Sequence, residues 1–149
     1  MKFSEFVALL NSDLKNEWMH MQFYLHHASA ITGLQAHEYK EFLLEQAAGE
    51  MKHVSQFSDM LFGLGVEPTT EINSFPKLTD PRLILEAAAG MEREVVENYV
   101  LRIAQLAEIE HNPFIDLKWI EIFLEEQIKD SREDLDHLKR ILGWTTHYY

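Results

Sequence analysis

The sequence predicts an all-α fold, an antiparallel four-helix bundle with one long crossover link between the second and third helices. Three observations predict it. Glycine and proline are scarce, six and four in 149 residues, and they fall between long periodic stretches. Within those stretches apolar residues recur at three-four spacing, the period of one helix face. The links run short, long, short. Short links make antiparallel neighbours, and a long one can cross the length of a bundle. At this length the chain is one ordinary domain, 1–149, with a proper core.

The first helix is expected over about Ser4 to Thr32, where Gly33 ends it. Its stripe passes through Phe6, Leu10, Leu14, Glu17, Met21, Tyr24 and Ala28. The second is expected from Ala36 to Phe62, stopped by Gly63 and Gly65, with Leu43, Ala47, Glu50, Val54 and Phe57 inward. The third opens at Asp80-Pro81, a cap followed by proline at the first helical position, and runs to about Ile109. The fourth opens the same way at Asn112-Pro113 and runs to about Leu142, with Gly143 behind it. Each is roughly 40 Å long at about 1.5 Å per residue.

Composition removes several classes of function. There is no cysteine, so disulfides, thiolate metal sites and cysteine nucleophiles are out. The formal charge of -12 argues against nucleic acid and anionic lipid as partners. No apolar run opens the chain as a signal peptide would, and no run of about 18 apolar residues could span a membrane. The cytoplasm is the default location.

Every stripe is apolar except near its middle, where Glu17, Glu50, Glu92 and Gln127 stand. In an antiparallel bundle of equal helices the midpoints share a level, so the four are expected to converge. His53 follows Glu50 by three and Asp130 follows Gln127 by three, each pair on one helix face. Buried carboxylates without partners cost several kcal/mol each or take up protons. A cation resolves this, and carboxylates with an imidazole suit iron, manganese or zinc. Such a set can hold two metals with Glu50 bridging, as in carboxylate-bridged bundles where two helices each give a Glu and two more each give a Glu-x-x-His pair. The alternative register through Glu126 and Lys129 puts Glu126 about 130° from the stripe at roughly 100° per residue, so Gln127 is preferred.

The stretches "LNSDLKNEWMHMQFYLHHA", "EMKH", "GMEREVVENY" and "FLEEQIKDSREDLDHLKRI" resemble the ferritin and bacterioferritin family across all four helices. By that resemblance Glu17, Glu50, His53 and Glu92 fall on ferroxidase-centre positions. Gln127 and Asp130 match the "EEQxxE" form of non-haem bacterial ferritins, with Asp for Glu. Tyr24 matches a tyrosine beside the centre. The resemblance implies iron as the metal: Fe(II) oxidised by O2 or H2O2 at a di-iron site, with ferric mineral stored in a hollow homo-oligomeric cage. Met51 matches the methionine that binds haem in bacterioferritins, which makes haem a second candidate cofactor. Two departures matter. Gly49 and Lys129 stand where a third iron site would have ligands. Only "WTTHYY" follows Gly143 where full-size ferritins have a fifth helix, so a cage of 12 is expected before one of 24.

The competing readings are a di-iron or di-manganese redox enzyme of peroxidase or catalase type without mineral, and a metal-free structural bundle. Tyr99, and Tyr24 apart from its place near iron, read as core packing. His20, His26, His27, His37, His111, His137 and His147 are expected at solvent or at interfaces rather than as ligands.

Overall fold

The computed structural model describes residues 1–110 and 117–144. Four α-helices account for most of them: α1 Phe3–Ala30, α2 Ala36–Gly63, α3 Pro81–Leu106 and α4 Leu117–Leu142. Each falls on its expected stretch. The long link lies between α2 and α3, where the sequence places it. The expected cap at Asn112-Pro113 and the tail from Thr145 lie outside the described residues. Among those described, no helix is long and apolar enough to cross a membrane.

The chain forms two compact units. Val7–Ile84 holds the α1–α2 hairpin and the link. Its core is the expected pair of stripes: Phe6 aside, Leu10, Leu14, Tyr24 and Ala28 of α1 and Leu43, Phe57 and Leu61 of α2 are all buried. Truncating one such leucine to alanine costs about 2–5 kcal/mol. The hairpin turn needs Gly33, whose φ of 106° lies where other residues are strained. At the far end Gly65 takes φ 79°, and Val66 N donates to Leu61 O at 3.0 Å, a Schellman closure of α2.

The link then travels back along α1. Thr69 N donates to Asn11 Oδ1 at 2.8 Å, and Trp18 Nε1 donates to Thr69 O at 2.9 Å. Lys15 Nζ lies 3.4 Å from Glu71 Oε2. Further on, Leu78 N donates to His27 Nε2 at 3.1 Å, and Thr32 N donates to Thr79 O at 3.0 Å. Asn11 Nδ2 also donates to Glu67 O at 3.2 Å, and contacts that step from Asn11 to Thr32 as the link advances from Glu67 to Thr79 make it a crossover running parallel to α1. It delivers Asp80 and Pro81 to the end of the hairpin where α2 began. There Asp80 Oδ2 accepts from Leu83 N at 3.0 Å, the cap expected for α3.

The other unit comprises Met1–Phe6 and the chain from Leu85 onward. The N-terminal amine donates to Glu108 O at 2.9 Å, and Glu110 N donates to Met1 O at 3.2 Å. The stripes of α3 and α4 are buried as expected, through Leu85, Ala88, Val95 and Tyr99 and through Ile120, Leu124, Leu135 and Leu138. Trp144 N donates to Lys139 O at 2.8 Å past Gly143 at φ 72°, ending α4 as the glycine foretold.

Candidate metal centre

The polar breaks in the stripes are as buried as the apolar residues around them. On the hairpin, Glu17, Glu50 and His53 are exposed by 1%, 2% and 4%. Three-residue spacing puts Glu50 and His53 on one face of α2, with His53 Nδ1 3.2 Å from Glu50 Oε2. The same nitrogen lies 3.6 Å from Glu17 Oε2 across the hairpin. One imidazole therefore sits between two carboxylates from neighbouring helices.

Burial alone would neutralise all three groups. Burial pushes the Glu17 carboxyl up, but hydrogen bonds with His53 and Glu50, and the charges of His20 and His53, outweigh it and hold it at about 2. Burial pushes His53 down, but hydrogen bonds to Glu17 and Glu50 and their negative charge carry it up to about 11. Without metal, His53 is an imidazolium that takes the place of a cation.

His20 corrects the sequence reading. It was expected at solvent or an interface, yet it is 1% exposed. One of its ring nitrogens and carboxylate oxygens of Glu17 and Glu50 all lie within 4.8 Å of one another. The reason is helical phase. Either Met21 or His20 can follow Glu17 on the inward face, and the stripe reading took Met21, which is only half-buried. The signal was in the sequence: Glu17-x-x-His20 repeats the spacing of Glu50-x-x-His53. Burial lowers the His20 pKa, against the pull of the Glu17 charge and with the help of the His53 charge. His27 is a second correction. It is fully buried and clamps the link.

Tyr24, two turns beyond Glu17, is fully buried, its ring edge-on to Phe23 at 5.6 Å. Met51 points outward from α2 and is 61% exposed.

In the other unit Glu92 and Gln127 are buried, and Asp130 is half-buried. Glu94 and Glu126 are exposed, so helical phase selects Glu92 and Gln127 as the inward residues. A residue the sequence reading missed is Asp134, seven after Gln127 on the same face of α4. Its carboxylate comes within 4.8 Å of that of Glu92.

The hairpin donor set fits a divalent cation. It offers hard carboxylate oxygens and imidazole nitrogens in a buried space, and His20 Nδ1 has no hydrogen-bond partner among the described residues.

A model of the ferritin-like domain family matches residues 7–145. No curated protein matches the chain significantly. Solved structures do. A ferritin-like, diiron-carboxylate protein of Bacillus anthracis str. Ames is 27% identical with a TM-score of 0.83, covering 93% of this chain and 96% of that one. BfrA from M. tuberculosis is 21% identical with a TM-score of 0.82, over 93% of this chain and 83% of that one. A bacterioferritin of Rhodobacter capsulatus, with a metal-free dinuclear site and haem iron, is 21% identical with a TM-score of 0.78. It covers 96% of this chain and 87% of its own.

Proposed function

The chain belongs to the ferritin-like domain family and has its four-helix fold, and from that premise we propose that it is an iron-storage and detoxification ferroxidase. In this reading it oxidises Fe(II) with O2 or H2O2 and keeps the ferric product as mineral inside a homo-oligomeric cage. The observation that carries it is the buried group of Glu17, Glu50 and His53, none more than 4% exposed. The similarity to a diiron-carboxylate protein of Bacillus anthracis supports a two-iron reading of this group.

Iron is substrate and cargo here. Glu17, Glu50 and His53 are assigned to bind it from the hairpin. Glu92, Gln127 and Asp130 are assigned the remaining ligand positions by resemblance, with Asp134 added by its approach to Glu92. Carboxylates are hard anions that favour Fe(III) over Fe(II), so the site lowers the cost of oxidation. Each iron gives one electron, and the pair reduces O2 to peroxide with uptake of two protons. Tyr24, buried two turns beyond Glu17, is assigned by resemblance the place beside the centre. Gln127 is a neutral amide and a weaker ligand than carboxylate, which favours moving iron onward to mineral over holding it. The surplus of acidic residues raises local Fe(II). Haem belongs to the same reading through Met51: haem titration of the protein should give a methionine-ligated visible spectrum that Met51→Leu removes.

The test is titration of the purified protein with Fe(II) in air, well past two iron per chain, followed by near-ultraviolet absorbance. Continued oxidation, with iron co-eluting with a large assembly, is the expected result. A break at two iron with nothing beyond would replace storage with a di-metal redox enzyme.

A further inference from the structure

We propose that His20 is a metal ligand, and that with Glu17 and Glu50 it forms a second cation position on the α1–α2 hairpin beside that of His53. The inference rests on reading Glu17 and Glu50 as metal ligands and goes beyond it. Four features support it. One ring nitrogen of His20 and one oxygen from each of the two carboxylates already lie within 4.8 Å of one another, so one small ion can be reached by all three with little movement. All three side chains are at most 2% exposed, so the donors are held away from competing water. His20 Nδ1 is buried and has no hydrogen-bond partner among the described residues. A buried polar atom in that condition carries a desolvation cost that packing does not return, and a bound cation removes it. Lastly, each carboxylate has two oxygens, so Glu17 and Glu50 can serve His53 and His20 together.

The donor chemistry explains why the chain would place an imidazole there. Helix α4 carries Gln127-x-x-Asp130, an amide and a carboxylate, where a symmetric centre would repeat Glu-x-x-His. His20 returns the second imidazole from α1. The hairpin then holds two Glu-x-x-His pairs, Glu17 with His20 and Glu50 with His53, in one compact unit.

Asn16 is the positioning residue. Its Nδ2 lies 3.4 Å from His20 Nε2. When Nδ1 gives its lone pair to a metal, Nε2 carries the ring proton and needs an acceptor. A turned amide presents Asn16 Oδ1 at that place, the outer partner that metal-bound imidazoles use to fix their orientation.

The test uses the full-length protein labelled with 15N in histidine, with Zn(II) as a diamagnetic probe. Imidazole nitrogens are assigned with His20→Gln and His53→Gln. In the unsubstituted protein, the expected result is that His20 Nδ1 and His53 both move to the metal-bound range as two Zn(II) bind. In parallel, calorimetric titration with Co(II) should show two sites, one of them weakened at least about tenfold in His20→Gln. The nitrogen shift is read in the unsubstituted protein, and a merely structural histidine would not show it. If metal binding depends on Glu50 while the His20 resonance stays still and His20→Gln binds as the parent does, the inference falls and the di-iron reading stands. If Glu50→Ala and His20→Gln both bind as the parent does, both fall.

Discussion

At the scale of single residues, the centre is organised around one proton. His53 holds it with a pKa of about 11 because Glu17 and Glu50 flank the ring. A metal takes the same lone pair, so loading at pH 7 must expel that proton. Anaerobic Fe(II) titration in weak buffer should therefore release about one proton at this position, read with a pH indicator, and His53→Gln should abolish the release. The same proton governs the metal-free protein. Between pH 6.5 and about 11 the folded state holds a proton that the unfolded chain has lost, so stability falls as pH rises through that window. Glu17 acts at the other end: its contribution is full above 4.5 and is lost as pH falls toward 2. Melting in chelator should be lower at pH 9.5 than at pH 6.5, and His53→Gln should flatten the difference. Glu50→Ala removes a carboxylate shared by both imidazoles and should reduce the initial rate of Fe(II) oxidation by a factor of about 100 or more, measured by stopped-flow absorbance. Glu17, Glu50, His53, Glu92 and Gln127 were legible as inward residues because a polar residue inside an apolar stripe has no other simple explanation. His20 was not, because a three-four stripe does not say which of two adjacent positions turns in.

At the scale of elements, the helices were legible almost to their ends, since period and punctuation agree, the expected cap of α4 lying outside the described residues. The path of the link was not, because it depends on side chains that carry no periodicity. His27 is its main anchor on α1. Its Nδ1 donates to Phe23 O at 2.8 Å, which leaves Nε2 free to accept from Leu78 N. The ring also packs on Phe23 at 4.2 Å and on Phe75 at 5.8 Å. His27→Ala strands the Leu78 N–H and should cost about 1–3 kcal/mol in urea unfolding. Protonation has a related effect. Burial lowers the His27 pKa, helped by the charges of His26 and Lys77, against the pull of its bond to Phe23 O. The unfolded chain therefore binds the proton first as pH falls below 6.5, and this contribution to stability is full above that value and lost below it. Hydrogen exchange of the Leu78 amide should quicken in acid before the core amides do.

At the scale of the whole molecule, the hairpin leaves Leu25, Leu44, Met51 and Phe62 exposed by 39% or more. Apolar surface of that kind supports self-association. Leu44→Glu with Met51→Glu should shrink the proposed assembly, seen by light scattering, while helix content by circular dichroism is unchanged. Metal should raise stability in the parent: at about 100 times the dissociation constant the gain is near 2.7 kcal/mol, and Glu50→Ala should lose most of it. One feature of the hairpin also reaches into biosynthesis. Its four inward donor side chains, Glu17, His20, Glu50 and His53, span a single uninterrupted stretch inside a compact unit that ends at Ile84. They leave the ribosome before most of α3 has been made, and contacts between neighbouring helices form faster than distant ones. If the hairpin binds metal as proposed, the order of translation becomes an order of loading, in which the nascent chain captures its first ion while α3 and α4 are still being synthesised.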